Sequence, residues 1–275
     1  MENILGVLHY PFIVNALLAV FLISIVSGIV GTLVVVRRMV FVTGGITHAS
    51  FGGIGIAYYL GLPPVGGAML FAVVTALSVE WLGRRGRMRI DSAIAVLWSL
   101  GMSVGVLFMF ITPGYTPNLL GFMFGDILTV SDLDIAMLAV VAVLLLPCVI
   151  VFYRPLMYVS FDQDFARVSG WNVNLINACV SVAAAIAIVM AIKVVGIILL
   201  LSLFTLPQAI AGVFCKRLSS MMTVSAVVGF AAGLGGLSAA YAFNLPTGAV
   251  IAIGLAIIYL LVRILNALRM KMNQN

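Results

Sequence analysis

The sequence predicts an all-α polytopic membrane protein of about nine (eight to nine) transmembrane helices, with the N-terminus outside and the C-terminus in the cytosol. Three observations carry this. Hydrophobic residues fill 64% of the 275 positions and charged residues only 8%, whereas about a quarter of a soluble domain is charged. Apolar runs of ~20 residues recur from end to end, each long enough to cross a bilayer. All but one of the fourteen Lys and Arg fall at span ends that face one side, as the positive-inside rule requires of a cytosolic face. No soluble domain or long linker interrupts the pattern, so residues 1–275 read as a single transmembrane domain.

Apolar length and punctuation by Gly, Pro and charge place the spans at 11–36, 46–60, 63–83, 91–112, 132–153, 173–191, 194–214, 218–242 and 246–267. No Lys or Arg precedes Arg37, so the start lacks the basic n-region of a cleavable signal peptide and the first span is expected to be retained. The second span is short. Glu80, near the end of the third, lies one turn before Arg84 and is placed for an i, i+4 ion pair. Asp91 is placed to cap the fourth. The stretch 114–131 follows Pro113 and contains Pro117 and Gly121. Its apolar Phe122-Met-Phe-Gly-Asp126 is too short to cross, which leaves an outer-face turn or a partial helix. Asp132 and Asp134 open the fifth span. An odd number of spans puts the termini on opposite sides. With the N-terminus outside, Arg37, Arg38, Arg84, Arg85, Arg87, Arg89, Arg154, Arg167, Lys216, Arg217, Arg263, Arg269 and Lys271 face the cytosol, and Lys193 alone lies outside.

Several function classes are disfavoured. The net charge of +6 forms no stripe or tail suited to nucleic acid. Cys148, Cys179 and Cys215 are odd in number and lack CxxC spacing, so they indicate neither a disulfide nor a structural zinc site. The fourteen methionines form no MxxM ladder and read as core and lipid-facing side chains. No Asp or Glu lies at the centre of a span, where ion-coupled carriers usually place ligands. An intramembrane enzyme would need a catalytic set, and no HExxH, GxSxG or paired aspartates occur in the spans. A GxxxxGK[ST] phosphate loop is also absent, so the chain is read as no enzyme, and any ATP is hydrolysed on another polypeptide. The Gly101/Gly105 and Gly229/Gly233 pairs, with Gly235-Gly236, let helix backbones approach closely, which fits packing within one chain better than a dimer motif.

Two features remain after the packing and topology are explained. One is the polar island Tyr158–Gly170, built as a short cytosolic helix at about 160–170. Ser160 with Gln163 reads as a capping box. Asp162 and Asp164 suit the positive end of the helix dipole and Arg167 the other end, and Gly170 suits a left-handed stop. Phe161, Phe165 and Val168 fall at i, i+4 and i+7, giving one apolar face. That face fits a protein partner and a helix lying at headgroup level equally well. The other feature is His48, just inside the second span. Imidazole is costly in lipid and usually faces a bundle interior or a water-filled path. It is also a ligand for zinc-like ions, and a hydrogen-bonded packing histidine fits the spacing as well. His9, beside Tyr10 and Pro11, suits an interfacial belt.

Taken together, several segments resemble the membrane (permease) subunit of a bacterial ABC importer for zinc, manganese or iron ions. Arg38-Met39 followed by Thr47-His48-Ala49 resembles the family's R-x-M…G-D-x-x-[SA]-H-A signature. Phe124-Gly125-Asp126 with Asp132 resembles its F-G-D segment. Phe161–Gly170 resembles its ATPase-docking helix. Leu199–Ala211 with Leu206-Pro207, and Asn244-Leu-Pro-Thr-Gly248, resemble its C-terminal motifs. The match spans nearly the whole chain and is carried by the order of the motifs. It implies a homodimer in the bacterial cytoplasmic (inner) membrane, two cytosolic ATPase subunits and an extracytoplasmic metal-binding protein. The ion would pass along the dimer interface with His48 as a transit ligand. It also implies docking through Phe161, Asp162, Asp164, Phe165, Arg167, Val168 and Gly170. No cofactor is expected to be held permanently: the metal ion is cargo, and ATP sits on the partner. The chain departs from the family at Gly44, where an acidic residue would stand one turn before the histidine, and at Gln208, where a small residue is usual. The alternative within the same architecture is a permease for a chelated metal such as a siderophore or cobalamin.

Overall fold

The structure is a computed structural model that describes residues 11–84, 89–113 and 127–272. His9, Arg85, Arg87, Pro117, Gly121 and the Phe124-Gly125-Asp126 segment lie outside the described residues. Among those described there are helices and no strand: α1 (Pro11–Val36), α2 (Val40–Tyr59), α3 (Pro64–Arg84), α4 (Ile90–Ile111), a single 3-10 turn (Ile127–Thr129), α5 (Asp132–Val151), α6 (Tyr153–Phe161), α7 (Gln163–Val168), α8 (Val173–Leu203), α9 (Leu206–Phe214), α10 (Leu218–Phe243) and α11 (Thr247–Met272). This follows from the solvent: in lipid a helix satisfies its own backbone polar groups, and an open strand does not.

Eight helical stretches among the described residues are long and apolar enough to cross a membrane, and the longest, Val173–Phe214, has 42 residues. At ~1.5 Å per residue that is about twice the thickness of a bilayer core. The chain turns back within it. Lys193 pairs with Asp134 in the first turn of α5, whereas beyond the other end of α5 the backbone N–H of Ser219 donates to the Tyr153 hydroxyl (3.2 Å). Residues 193–219 therefore retrace the full length of α5. The reversal is made at Gly196, whose φ of 73° and ψ of 172° interrupt the helix, a left-handed conformation open to glycine at little cost. The break divides the longest of the eight apolar stretches into two arms. Lys193 stands at the Asp134 end of α5.

The helices follow the expected spans closely, with local corrections. The second helix begins at Val40 rather than 46, because Thr43, Gly44 and Gly45 are buried in the bundle rather than lying in a loop. The N-cap of α4 is Arg89 and Asp91 sits in the first turn, so Asp91 is not a cap. At α5 the cap is Ser131, in a reciprocal box with Asp134, and Asn15 donates to Asp132 (2.8 Å), fixing α1 to this end. Glu80 accepts from Ser181 of α8 (3.0 Å), a tertiary partner that the i, i+4 reading with Arg84 did not anticipate.

Small residues set the packing of α2. A Cβ on Gly45 would lie 2.4 Å from Ile94 Cγ2, one on Gly53 2.0 Å from the Gly67 carbonyl, and one on Gly101 2.5 Å from Ala49 Cα. In lipid there is little hydrophobic drive between helices, so such close approach supplies the van der Waals energy. Of the glycines read as packing positions, Gly101, Gly105, Gly233 and Gly236 meet other helices of this chain closely, whereas a Cβ on Gly235 would meet nothing within 4 Å. Gln208 is wholly buried. Its amide donates to the carbonyls of Ser27 (2.7 Å) and Leu203 (3.1 Å), clipping the broken α8–α9 segment to the middle of α1.

Candidate functional site

Two places collect the residues singled out by sequence, and they are separate. The first is on α2. The His48 ring is half-buried and lies parallel to the Trp98 indole of α4, with centroids 4.1 Å apart and planes 6° apart. His48 Nδ1 is buried and has no hydrogen-bond partner. Neighbouring hydroxyls do not serve it: Thr47 donates to the Thr43 carbonyl (2.8 Å) and Ser50 to the Thr47 carbonyl (2.6 Å). A buried polar atom is usually satisfied, and a neutral imidazole with a free lone pair is a nitrogen donor for a zinc-like ion. The packing alternative, a histidine held by hydrogen bonds, has no such bond at this nitrogen. Gly44 lies one turn earlier on the same face. A Cβ there would meet only Trp98 Cζ3, at 4.0 Å. The position where the resemblance expects an acid is therefore roomy, in contrast to Gly45. Among the described residues no three His, Cys, Asp or Glu side chains converge.

Trp98 was missed from sequence. It sits in an unremarkable apolar run and meets His48 only because α2 and α4 lie side by side through their glycines. The base of α2 is clamped in its turn. Arg37 donates to Asn177 Oδ1 of α8, and Arg38 takes a left-handed φ of 57° to reverse the chain. Burial pulls the Arg37 guanidinium below its ordinary pKa, while the Glu80 charge pushes it back up.

The second place is α7. Its cap is not Ser160, which lies inside α6 and donates to the Leu156 carbonyl (2.6 Å). Asp162 takes that role in an extended conformation, accepting from the N–H groups of Asp164 (3.1 Å) and Phe165 (2.9 Å). The Ser160–Gln163 capping box is thus replaced by an aspartate cap, a stronger acceptor at the positive end of the dipole. Asp164 pairs with Arg167 (2.8 Å), both largely exposed, a contact worth little on its own. Gly170 takes φ 82°. Its N–H donates to Arg167 and that of Trp171 to Ala166, both at 3.0 Å, which is the Schellman pattern. Ala166 is fully buried with Val159 and Val173, so α7 is pinned by its inner face. Its outer face presents Phe165, 51% exposed, and Val168, 89% exposed. Phe161 is also exposed but closes α6 instead of opening α7. Phe161, Arg167, Phe165 and Val168 are thus all exposed on α6 and α7, whereas His48 is half-buried on α2.

The chain as a whole is similar to known membrane transport proteins. The family described as the ABC 3 transport family matches residues 9–266. A protein of Chlamydia muridarum named "Probable metal transport system membrane protein" is 33% identical, over 94% of this chain and 90% of that one. The "Manganese transport system membrane protein MntC" of Listeria innocua is 29% identical, over 92% of this chain and 90% of its own length. Among solved structures, a chain of "PsaBC from Streptococcus pneumoniae in complex with Fab" superposes with a TM-score of 0.83 at 28% identity, covering 94% of this chain and 92% of that one. A "metal-chelate type ABC transporter" in an inward-facing conformation shares the fold alone, with a TM-score of 0.71 at 15% identity over 90% of this chain and 84% of that one.

Proposed function

The chain belongs to the ABC 3 transport family, and from that premise we propose that it carries a divalent transition-metal ion (zinc, manganese or iron) past His48 while an ATPase docks on α7. It is a multi-pass inner-membrane permease of a metal transport system, the kind for which its relatives are named. The observation that supports the ion path is the buried, unpartnered Nδ1 of a half-exposed imidazole in the membrane. One imidazole cannot fill a coordination shell, so water, or the same side chain of a second copy, completes it. Weak coordination suits transit, since an importer must let its ion go. The exposed Phe165 and Val168 on a helix pinned at both ends suit insertion into a groove on the ATPase. A homodimer of this chain, two ATPase subunits and an extracytoplasmic metal-binding protein complete the assembly. Comparing cell-associated zinc, manganese and iron with and without this gene, and after restoring it, tests the function. An unchanged metal content in all three states would remove it.

Two further expectations attach to this reading. The first is orientation. With basic residues at the Arg37 end, that end faces the cytosol, so an impermeant thiol reagent should label a cysteine placed before Met1 in intact cells and not one placed after Asn275. Labelling of the C-terminal cysteine would invert the topology. The second concerns Gly44. Since a Cβ there meets only open space beside Trp98, Gly44→Asp should fold normally and set a carboxylate one turn from His48. Opposite charge in a low-dielectric setting attracts a dication. The purified variant should retain several-fold more metal than the parent, about a tenfold gain for each ~1.4 kcal/mol added, and its uptake should change, slowing if release becomes limiting. Equal metal content at equal protein would show that the path does not run along this face of α2.

A further inference from the structure

An apolar groove of about 360 Å³ opens between α1, α5, α6 and α8. It runs from Ala183, midway along the arm of α8 that precedes Gly196, to Trp171 and Asn172, in the link between α7 and α8. Apart from Asn172 and the thiols of Cys148 and Cys179, its lining is wholly apolar. It therefore begins at mid-bilayer depth and ends where the chain leaves the hydrocarbon at the Arg37 end. The surface around it is not built to receive another helix. From Val143 onward the exposed positions of α5 carry no Gly, Ala or Ser, and Leu144, Ile150 and, on α8, Leu175 are each at least 60% exposed. Helix-to-helix contacts in membranes favour small residues, whereas large branched chains suit lipid. The mouth has the opposite chemistry. Arg154 is exposed on α6 between Phe152 and Pro155, both of which line the groove. Trp171, 40% exposed, supplies an amphipathic ring of the kind found at headgroup depth. Given the orientation proposed above, Arg154 sets one positive charge beside an apolar slot on the cytosolic side, the chemistry that attracts an anionic lipid headgroup.

We propose that this groove binds one acyl chain of an anionic phospholipid, with its phosphate at Arg154. The bound chain lies against the base of α7. The backbone N–H of Trp171 donates to the Ala166 carbonyl and so closes that helix (3.0 Å), and the Asn172 side chain caps α8 by accepting from the Leu175 N–H (3.1 Å). An occupied groove backs both ends of the α7–α8 link, and an empty one leaves them unsupported.

The native cysteines make the test direct. Cys148 and Cys179 line the groove and are exposed, whereas Cys215, between α9 and α10, does not line it and is half-buried. The full chain is purified in mild detergent, stripped of lipid and alkylated with N-ethylmaleimide, and each site is followed by peptide mass spectrometry. Phosphatidylglycerol at ten times its dissociation constant should slow Cys148 and Cys179 about tenfold and leave Cys215 unchanged. Phosphatidylcholine should protect far less, and Arg154→Gln should bring phosphatidylglycerol down to that level. Ala183→Phe, which fills the groove, should abolish the lipid effect. If that variant does not fold, the comparison of the two lipids on the parent chain still decides. Equal alkylation with and without phosphatidylglycerol, or equal protection by both lipids, overturns the assignment. So does a Cys148–Cys148 disulfide between two copies on mild oxidation, which would put a second copy over the groove.

Discussion

Metal uptake per folded molecule falls about 100-fold or more in His48→Ala, while the amount of folded protein stays near that of the parent. Loss of a side chain that merely orients a ligand typically costs 10–100-fold in metal affinity or activity, and here the proposed donor itself is removed. The effect on stability should be small because the ring is half-exposed and its main visible contact is the stack on Trp98 at 4.1 Å. Such an aromatic pair is worth about 0.5–1.5 kcal/mol beyond area burial. No hydrogen bond to Nδ1 is lost, since none is made. The measurement is initial uptake of radiolabelled zinc and manganese, divided by the quantity of monodisperse protein recovered from the same membranes. Normal uptake per molecule with less folded protein would identify His48 as a packing residue and move the ion path elsewhere.

Phe165→Asp should abolish both transport and transport-coupled ATP hydrolysis in a chain that still inserts and folds. Phe165 is on the outer face of α7, half-exposed, with one ring neighbour, Tyr158, at 5.1 Å. The inner face that pins the helix, through Ala166, is untouched. An unpaired charge in a desolvated contact costs about 3–5 kcal/mol, which is more than a 100-fold loss of docking affinity. Co-purification of the ATPase with the membrane subunit gives the direct readout, and ATP hydrolysis in proteoliposomes gives the functional one. Full activity with normal co-purification would sink the docking role and leave α7 as a helix resting at the headgroups.

Much of the path was legible because lipid is a demanding solvent. Pro11–Val36, Pro64–Arg84 and Leu218–Phe243 stand within a residue of the expected spans, since an apolar run of membrane length has few alternatives. The left-handed stop at Gly170 was also readable, as was the hairpin around Lys193. Other features were ambiguous at short range. Ser160 and Asp162 are both good N-caps. The choice fell to Asp162 because α6 continues through Ser160 and leaves Asp162 as the extended residue between two helices. Residues 40–45 looked like a loop for their Gly and Thr, yet small residues are what a helix needs where it is enclosed by α3 and α4.

The sequence by itself determined the class of this protein, the approximate course of its spans and the presence of a folded polar helix between two of them. These follow from rules that act within a span or a turn: apolar length, capping, and the cost of a charge in hydrocarbon. Only the tertiary structure decided what His48 touches, what Glu80 accepts from, and where Gln208 spends its amide. Trp98 is fifty positions from His48, Ser181 is 101 from Glu80, and Ser27 is 181 from Gln208. Those pairs are set by how closely helices can approach, and that depends on glycines at facing positions of different helices, such as Gly53 and Gly67. No local pattern encodes such a meeting, because each residue satisfies its own helix equally well without the other.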